Sequence, residues 1–474
     1  MSGTSGTSDT SSRTGTAGTR GTSEHADGRT VVLRAGDAGY ADELAGFQTG
    51  FVQRPDAVFA VTDAEGVRAA VAYAAGRGLP VGVQATGHGL PGASEGGVLI
   101  STRRMDAVRV DPATRTARIE AGARWGRVVE AAAEHGLAPL NGSAPSVGAV
   151  SYTLGGGLGI MARRFGYTAD HARAVEFVAA DGRPRRVTPG SDPELWWGLL
   201  GGGANLGVVT AIEVGLVEVP RLYGGMLRFD GAEHGEEVVR GYLAWTEGLP
   251  DAVSSTLSSL VHPDLPVLPP HLRGRHVVSV HLTFTGSAAE GERLVAPLRA
   301  LGTVLNDELR EMPYTDSHTV HSDPPFPHAY LGDAVALGAL DPDAAVRALE
   351  LTGPGAGSMH VLKINHLGGA LSAEPAAPNS VPHREARYSL LVLSPLEGTD
   401  AAAVRAVHAE VFAGLAPHVL GRLLNYAFGG GEHGTEGLYG GPEARKRLAG
   451  LKSTYDPANL FRRNYNIGPG AGGS

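Results

Sequence analysis

The residues able to do chemistry fall in four short, glycine- or aromatic-rich segments. Residues 84–92 (QATGHGLPG) surround one histidine, His88, with glycine. Such glycines permit tight turns and bring backbone N–H groups close to an anion such as a pyrophosphate. Taken alone, His88 reads equally as a polar loop residue. Residues 142–159 (GSAPSVGAVSYTLGGGLG) are a second glycine-rich stretch. Gly157, Gly159 and Ala162 match the spacing of a dinucleotide fingerprint, with Asp181 beyond. However, that fingerprint needs a buried strand leading into the turn, and Tyr152-Thr153-Leu154 is not one. Residues 192–216 (DPELWWGLLGGGANLGVVTAIEVGL) give a helical turn, a glycine loop and an alternating strand. Residues 455–467 (YDPANLFRRNYNI) read alone as a helix stop and a terminal extension. His318, His321 and His328 make a histidine-rich stretch without the carboxylate or cysteine spacing that would complete a metal site, so an exposed loop is expected.

These segments need elements to hold them. Residues 62–65 (TDAE) read as a capping box opening a helix whose Val67, Ala70, Val71 and Ala74 share one face. Residues 79–83 form a short strand that runs into the His88 loop. Further strands are expected at 97–101 and 118–122. The helix after 122 stacks Trp125, Val128, Val129 and Ala132 and stops at Gly136. From about residue 223 the texture changes to strands at 223–229, 253–261, 277–284, 361–367 and 389–393, with helical segments between them. In 277–284, Val278, Val280, Leu282 and Phe284 take one face and Ser279, His281 and Thr283 the other. This predicts an α+β or α/β unit followed by a large sheet with helices on one side. Proline-rich stretches at 267–270, 324–327 and 374–382 are loops.

Composition narrows the function classes. The 474 residues are 42% apolar with a formal charge of -9 and no basic cluster, so no nucleic-acid partner is expected. No run approaches the ~18 apolar residues that span a bilayer. The absence of cysteine removes disulfides, thiolate nucleophiles and Cys-ligated metals. Part of the excess of 69 glycines reflects Ala-, Gly- and Arg-rich usage, and part loops backbone around a ligand. Residues 1–29 are Ser-, Thr- and Gly-rich without an apolar h-region, which predicts a disordered tail, no secretory signal and a cytoplasmic location.

In order and spacing the segments resemble the PCMH-type FAD-binding fold, and specifically the berberine-bridge-enzyme-like oxidoreductases. The resemblance runs from about Arg54 to Gly468. It rests on Gly87-His88, SVG…TLGGGLG, DPELWW…GGGANLGVVT, LGGA followed by His383-Arg384, and the closing KSTYDPANLFRRNYNI. It implies a disordered tail (1–29), an FAD-binding domain (30–220), an inserted substrate domain of antiparallel sheet backed by helices (221–429), and a C-terminal segment (430–474) completing the first domain. It also implies FAD held covalently through His88, a neutral imidazole being a competent nucleophile near pH 7. Thr86, Gly87 and Gly89 would face the pyrophosphate. Ser146, Val147, Gly148, Tyr152 and Gly156 would line the flavin, Val209 would meet the adenine and Asn466 would return to the ring.

Ala144 stands where many relatives carry a second, cysteinyl link, so the attachment would be single. Tyr465 replaces a glutamine common in the closing motif. Relatives use tyrosine or glutamate as base, which here suggests Tyr426, then Tyr388, though Tyr388 could equally be a core residue. By the same resemblance Val147 borders the path of oxygen. The implied function is oxidation of an alcohol, amine or related C–H centre of a small organic substrate, with oxygen as acceptor. The alternatives are a dehydrogenase with another acceptor, a non-redox cyclase that keeps flavin as scaffold, or a flavin-binding protein without catalysis.

Overall fold

The structure, a computed structural model, describes residues 24–25, 30–430 and 434–470. The expected tail over 1–29 lies outside the described residues except for Glu24–His25, which pairs with Val31–Val32 at a sheet edge. That sheet has five strands in the order Glu24–His25, Val31–Leu33, Ala57–Ala60, Val98–Ser101, Val81–Gln84, and its last three are parallel. The helix Ala64–Ala75 covers one face with Val67, Ala70, Val71 and Ala74, as their periodicity predicts. The cap, however, is Asp63, whose carboxylate accepts the Gly66 N–H at 2.9 Å. The capping box read over 62–65 is therefore not formed: the cap falls one residue later and is a single bond, since Gly66 has no side chain to return it. Aspartate is the stronger cap, and it sits immediately before the first helical residue.

A second, antiparallel sheet runs Pro184–Val187, Ala172–Val178, Val208–Gly215, Thr116–Glu120, Val108–Asp111. The helix Trp125–Ala133 buries Trp125, Val128, Val129 and Ala132, and Gly136 follows it at φ +70°. Helix Pro193–Leu199 starts on Asp192, which accepts from the Leu195 N–H, with proline at the first helical position.

The third sheet carries nine strands among the described residues, all antiparallel. Its order is Val304–Asp307, Arg221–Asp230, His276–Phe284, Val253–Val261, Val361–His366, Tyr388–Pro395, Tyr330–Leu337, Val419–Arg422, with Arg310–Pro313 beside the second. Helices Gly231–Thr246, Pro342–Leu351 and Ala401–Leu415 pack on one face. The core there is built from Leu227, Phe229, Leu257, Val278, Val280, Ile364, Leu390 and Val392. In-register pairing of Thr256 with both His281 and Asn365 puts the polar positions of three strands on the opposite face. The expected α+β architecture, with a large antiparallel sheet backed by helices, is the observed one.

The chain ends back at the first sheet. Leu460 and Phe461 enter its core behind helix Pro442–Tyr455. Lys452 and Asp456, one turn apart and both 0% exposed, lie 2.7 Å from each other. The ammonium also donates to the carbonyls of Asn205 and Phe461, while the carboxylate accepts the N–H groups of Leu460 and Phe461. Every polar atom of the pair is thus occupied, which is the condition for burying an ion pair. Removing one partner leaves an uncompensated buried charge. Asp456→Ala is expected to lower the unfolding free energy by about 3–5 kcal/mol, read from the urea midpoint.

Candidate functional site

The His88 loop is shaped by a close backbone approach. Gly87 has φ +69°, and a Cβ there would lie 2.7 Å from the Gly46 Cα. Residues 46–48 therefore run against the loop, with the Phe47 N–H donating to Thr86 O and the Gln48 N–H to Gly87 O, each at 2.9 Å. The imidazole is fixed on both edges. Nδ1 lies 2.8 Å from the Thr86 hydroxyl and Nε2 3.2 Å from that of Ser146. Phe47 stacks on its face at 4.0 Å, with the planes 11° apart. Burial, then Arg124 and His328, pull its pKa down to about 3. At neutral pH the ring is an uncharged imidazole with an available lone pair.

The loop and the second glycine-rich segment meet here. A Cβ on Gly148 would sit 3.5 Å from the Thr86 hydroxyl. Val147 is partly buried, and its carbonyl accepts the Trp125 N–H at 3.0 Å. Tyr152 lies edge-on to Trp125. Gly156 has φ +108° and packs against Val381, which no side chain would permit as comfortably. Gly89 opens onto empty space. Asn466 keeps a buried side-chain oxygen without a hydrogen-bond partner among the described residues. Val209 is a core residue of its strand. A neutral imidazole between two hydroxyls, an unsatisfied amide oxygen and open glycine backbone suit a polar, aromatic, phosphate-bearing cofactor such as FAD.

Beside this segment lies a cleft. Ser143, Leu158, Gly159 and Ile160 form one wall, and Thr256, His281, Lys363 and Asn365 from the polar face of the nine-stranded sheet form the other. Tyr426 also lines it. Burial, then Asp323 and Tyr167, push the Tyr426 hydroxyl far above the ordinary tyrosine range, so it holds its proton at neutral pH. Tyr388 is not in the cleft. Strand register places it on the helix-covered face, where its hydroxyl lies 2.7 Å from that of Thr246. It is a core residue with a satisfied hydroxyl, and its candidacy as a base is corrected on that ground.

The sequence reading missed other groups in the cleft. His321, expected on an exposed loop, instead stacks on His281 at 4.6 Å with the planes 8° apart. His281 contacts the Val320 carbonyl through Nδ1 at 2.8 Å and the Ser258 hydroxyl through Nε2 at 2.7 Å. A carbonyl only accepts, so Nδ1 carries the proton and Nε2 accepts. Lys363 lies 3.1 Å from Asp323. Burial would raise the Asp323 carboxyl, but Lys363, His321 and the Ser143 hydroxyl hold it far below the carboxylate range. The signal available in sequence was alternation: Lys363 and Asn365 interleave with Leu362 and Ile364 just as His281 does with Val280 and Leu282. His318 is exposed, and His328 packs near Tyr330 and Phe47. Among the described residues no group of histidine and carboxylate side chains could hold a metal ion. Among the described residues no helix is long and apolar enough to cross a membrane.

The chain is similar to known FAD-binding proteins. Residues 55–188 match the family model described as FAD binding domain. The chain is 29% identical to the (R)-6-hydroxynicotine oxidase of Paenarthrobacter nicotinovorans, over 92% of this chain and 96% of that one. It is 37% identical to the aclacinomycin-N/aclacinomycin-A oxidase of Streptomyces galilaeus, over 40% of this chain and 38% of the other. The crystal structure of 6-hydroxy-D-nicotine oxidase from Arthrobacter nicotinovorans superposes with a TM-score of 0.80 at 26% identity, covering 92% of this chain and 97% of that one.

The buried His281 makes the cleft acid-sensitive. Burial, against the opposing Val320 hydrogen bond, lowers its pKa from 6.5 to about 4. The folded state thus favours the neutral ring. Its contribution is complete above pH 6.5 and is lost as pH falls toward 4. Between pH 7.5 and 5 this amounts to about 2 kcal/mol. Urea midpoints of His281→Gln should fall less over that interval than those of the unaltered protein.

Proposed function

From a chain that belongs to the berberine-bridge-enzyme-like FAD-linked oxidoreductases, we infer an FAD-dependent oxidase whose flavin is linked once, to His88. It oxidises an alcohol, amine or related C–H centre of a small organic substrate, and oxygen is the electron acceptor. The observation that carries this reading is His88 itself: an uncharged imidazole clamped between the hydroxyls of Thr86 and Ser146, in the loop that the family resemblance assigns to the flavin. The chain contains no cysteine, which excludes a second, cysteinyl link and is consistent with a single link through His88. Relatives named as oxidases support oxygen as the acceptor, and Val147 borders its path.

Bound FAD would supply a two-electron acceptor for the substrate's hydride. Thr86, Gly87 and Gly89 would meet its pyrophosphate, and Ser146, Val147, Gly148, Tyr152 and Gly156 its ring. Val209 would meet the adenine and Asn466 the ring's far edge. The substrate lies in the cleft, between the glycine-rich segment and the polar sheet face. Hydride loss leaves a proton on the substrate's oxygen or nitrogen, and Tyr426 is the group that contacts it. Because Tyr426 holds its proton at neutral pH, it positions the substrate by hydrogen bonding and acts as base only in its minor ionised fraction.

Two measurements test this reading. Acid-precipitated protein should stay fluorescent, while His88→Ala should release its flavin on precipitation; complete release from the unaltered protein overturns the covalent assignment. Anaerobic flavin reduction should slow by roughly 10²-fold in Tyr426→Phe. If ionised Tyr426 is the base, the unaltered rate climbs about tenfold per pH unit across pH 7–9. A flat profile with an active Tyr426→Phe removes it from the reaction.

A further inference from the structure

Phe47 belongs to none of the motifs that carry the family resemblance, yet it packs face to face on the imidazole of His88. The rings stack at 4.0 Å and 11°. Backbone bonds from Phe47 and Gln48 to Thr86 and Gly87 fix that placement. Gln48 is in turn tied to the nine-stranded sheet, its Nε2 donating to Tyr330 O at 2.6 Å and its Oε1 accepting the Tyr330 N–H at 3.3 Å. The Tyr330 hydroxyl donates to the His88 carbonyl at 2.7 Å. His328 packs edge-on to Phe47 at 5.5 Å and tilted against Tyr330 at 4.9 Å. One face of the imidazole is therefore capped by a ring, and its main chain is anchored from the other sheet.

We propose that Phe47 is a positioning residue for flavin attachment: it fixes the plane of the His88 imidazole and keeps water from its face, so that a ring nitrogen is held ready to bond the flavin's 8α-methyl carbon. The proposal rests on the His88 reading above. In net terms, an imidazole N–H and one methyl C–H are replaced by an N–C bond. The two hydrogens, with their two electrons, leave to dioxygen as hydrogen peroxide. The nitrogen needs its lone pair free, so the ring must be uncharged. The titratable and charged groups facing it are Arg124 and His328, both of which disfavour imidazolium, and the neutral Tyr330 hydroxyl. Burial is the largest cause of the depressed pKa, and Phe47 supplies that burial on one whole face. Opening that face to water would return the ring toward the ordinary histidine range of about 6.5.

The test is attachment itself, read without turnover. Freshly produced full-length protein is incubated aerobically with added FAD between pH 5.5 and 8. The flavin fluorescence retained after acid precipitation is followed in time, with total bound flavin and melting temperature as controls. Phe47→Tyr should attach flavin at the unaltered rate. Phe47→Leu, whose smaller side chain leaves part of the imidazole face open to water, should bind FAD but attach it roughly tenfold or more slowly. Its rate should also fall below pH 6.5, where the unaltered profile stays flat. Phe47→Leu attaching at the unaltered rate with a flat profile overturns the proposal. His88→Ala is the separate control: if it retains flavin like the unaltered protein, the anchor is elsewhere and the underlying reading fails.

Discussion

A guanidinium taken out of water must find an acceptor for each donor, and in this chain that requirement joins the two halves of the site. Arg163 is 5% exposed. Nε donates to Val253 O at 2.9 Å, Nη1 to His366 Nε2 at 3.0 Å and to Leu367 O, and Nη2 to Leu249 O and the Asp251 carboxylate. These acceptors belong to two neighbouring strands of the nine-stranded sheet and the loops beside them. Arg163 itself follows the glycine-rich segment that forms the opposite wall of the cleft. The wall and the sheet are thereby set at a fixed separation by charge-assisted hydrogen bonds, which hold geometry better than apolar contact does. The Asp251 carboxylate is mostly exposed. It adds little energy by itself, and the carbonyls do most of the orienting.

The cleft depends on the other constraint of a strand, that neighbouring side chains point to opposite faces. Over 278–284 the alternation of valine and leucine with serine, histidine and threonine was legible, and it separates the helix-covered core from the cleft wall correctly. The same parity places Lys363 and Asn365 toward the cleft beside Leu362 and Ile364. It could not be used for Tyr388, because a tyrosine is amphipathic and fits either face. Its side is fixed only by register, Tyr388 opposite His366 and Leu390 opposite Ile364, and register is a property of two strands, not one. The elements were legible because their signals are local: an aspartate before a helix, a glycine after one, a period of two or of 3.6.

What was not legible is long-range. His321 follows a short helical turn in a segment rich in proline and histidine, which locally suggests solvent. Its stacking on His281, forty residues earlier in the chain, follows from the turn folding under the sheet. Phe47 is similar: its sequence neighbourhood is unremarkable, and only the backbone approach permitted by Gly46 and Gly87 brings it over His88. Glycine is visible in a sequence, but its partner is not.

The titratable groups of the site share one direction. His88, His281, His321 and His366 are all pulled toward the neutral ring, and Tyr426 and Tyr152 toward the protonated phenol, with burial the largest cause in each. The charges that remain are matched in place, Lys363 with Asp323 and Arg163 with its ring of acceptors. A cleft that disfavours isolated charge on its own side chains disfavours it equally on a guest. For the substrate proposed above, an alcohol or an amine in its free-base form would enter without that penalty. A substrate carrying a fixed carboxylate would have to compete with Asp323 for Lys363. Burial thus acts alike on His88 and on the side chains of the neighbouring cleft: where water is excluded, the uncharged form is favoured.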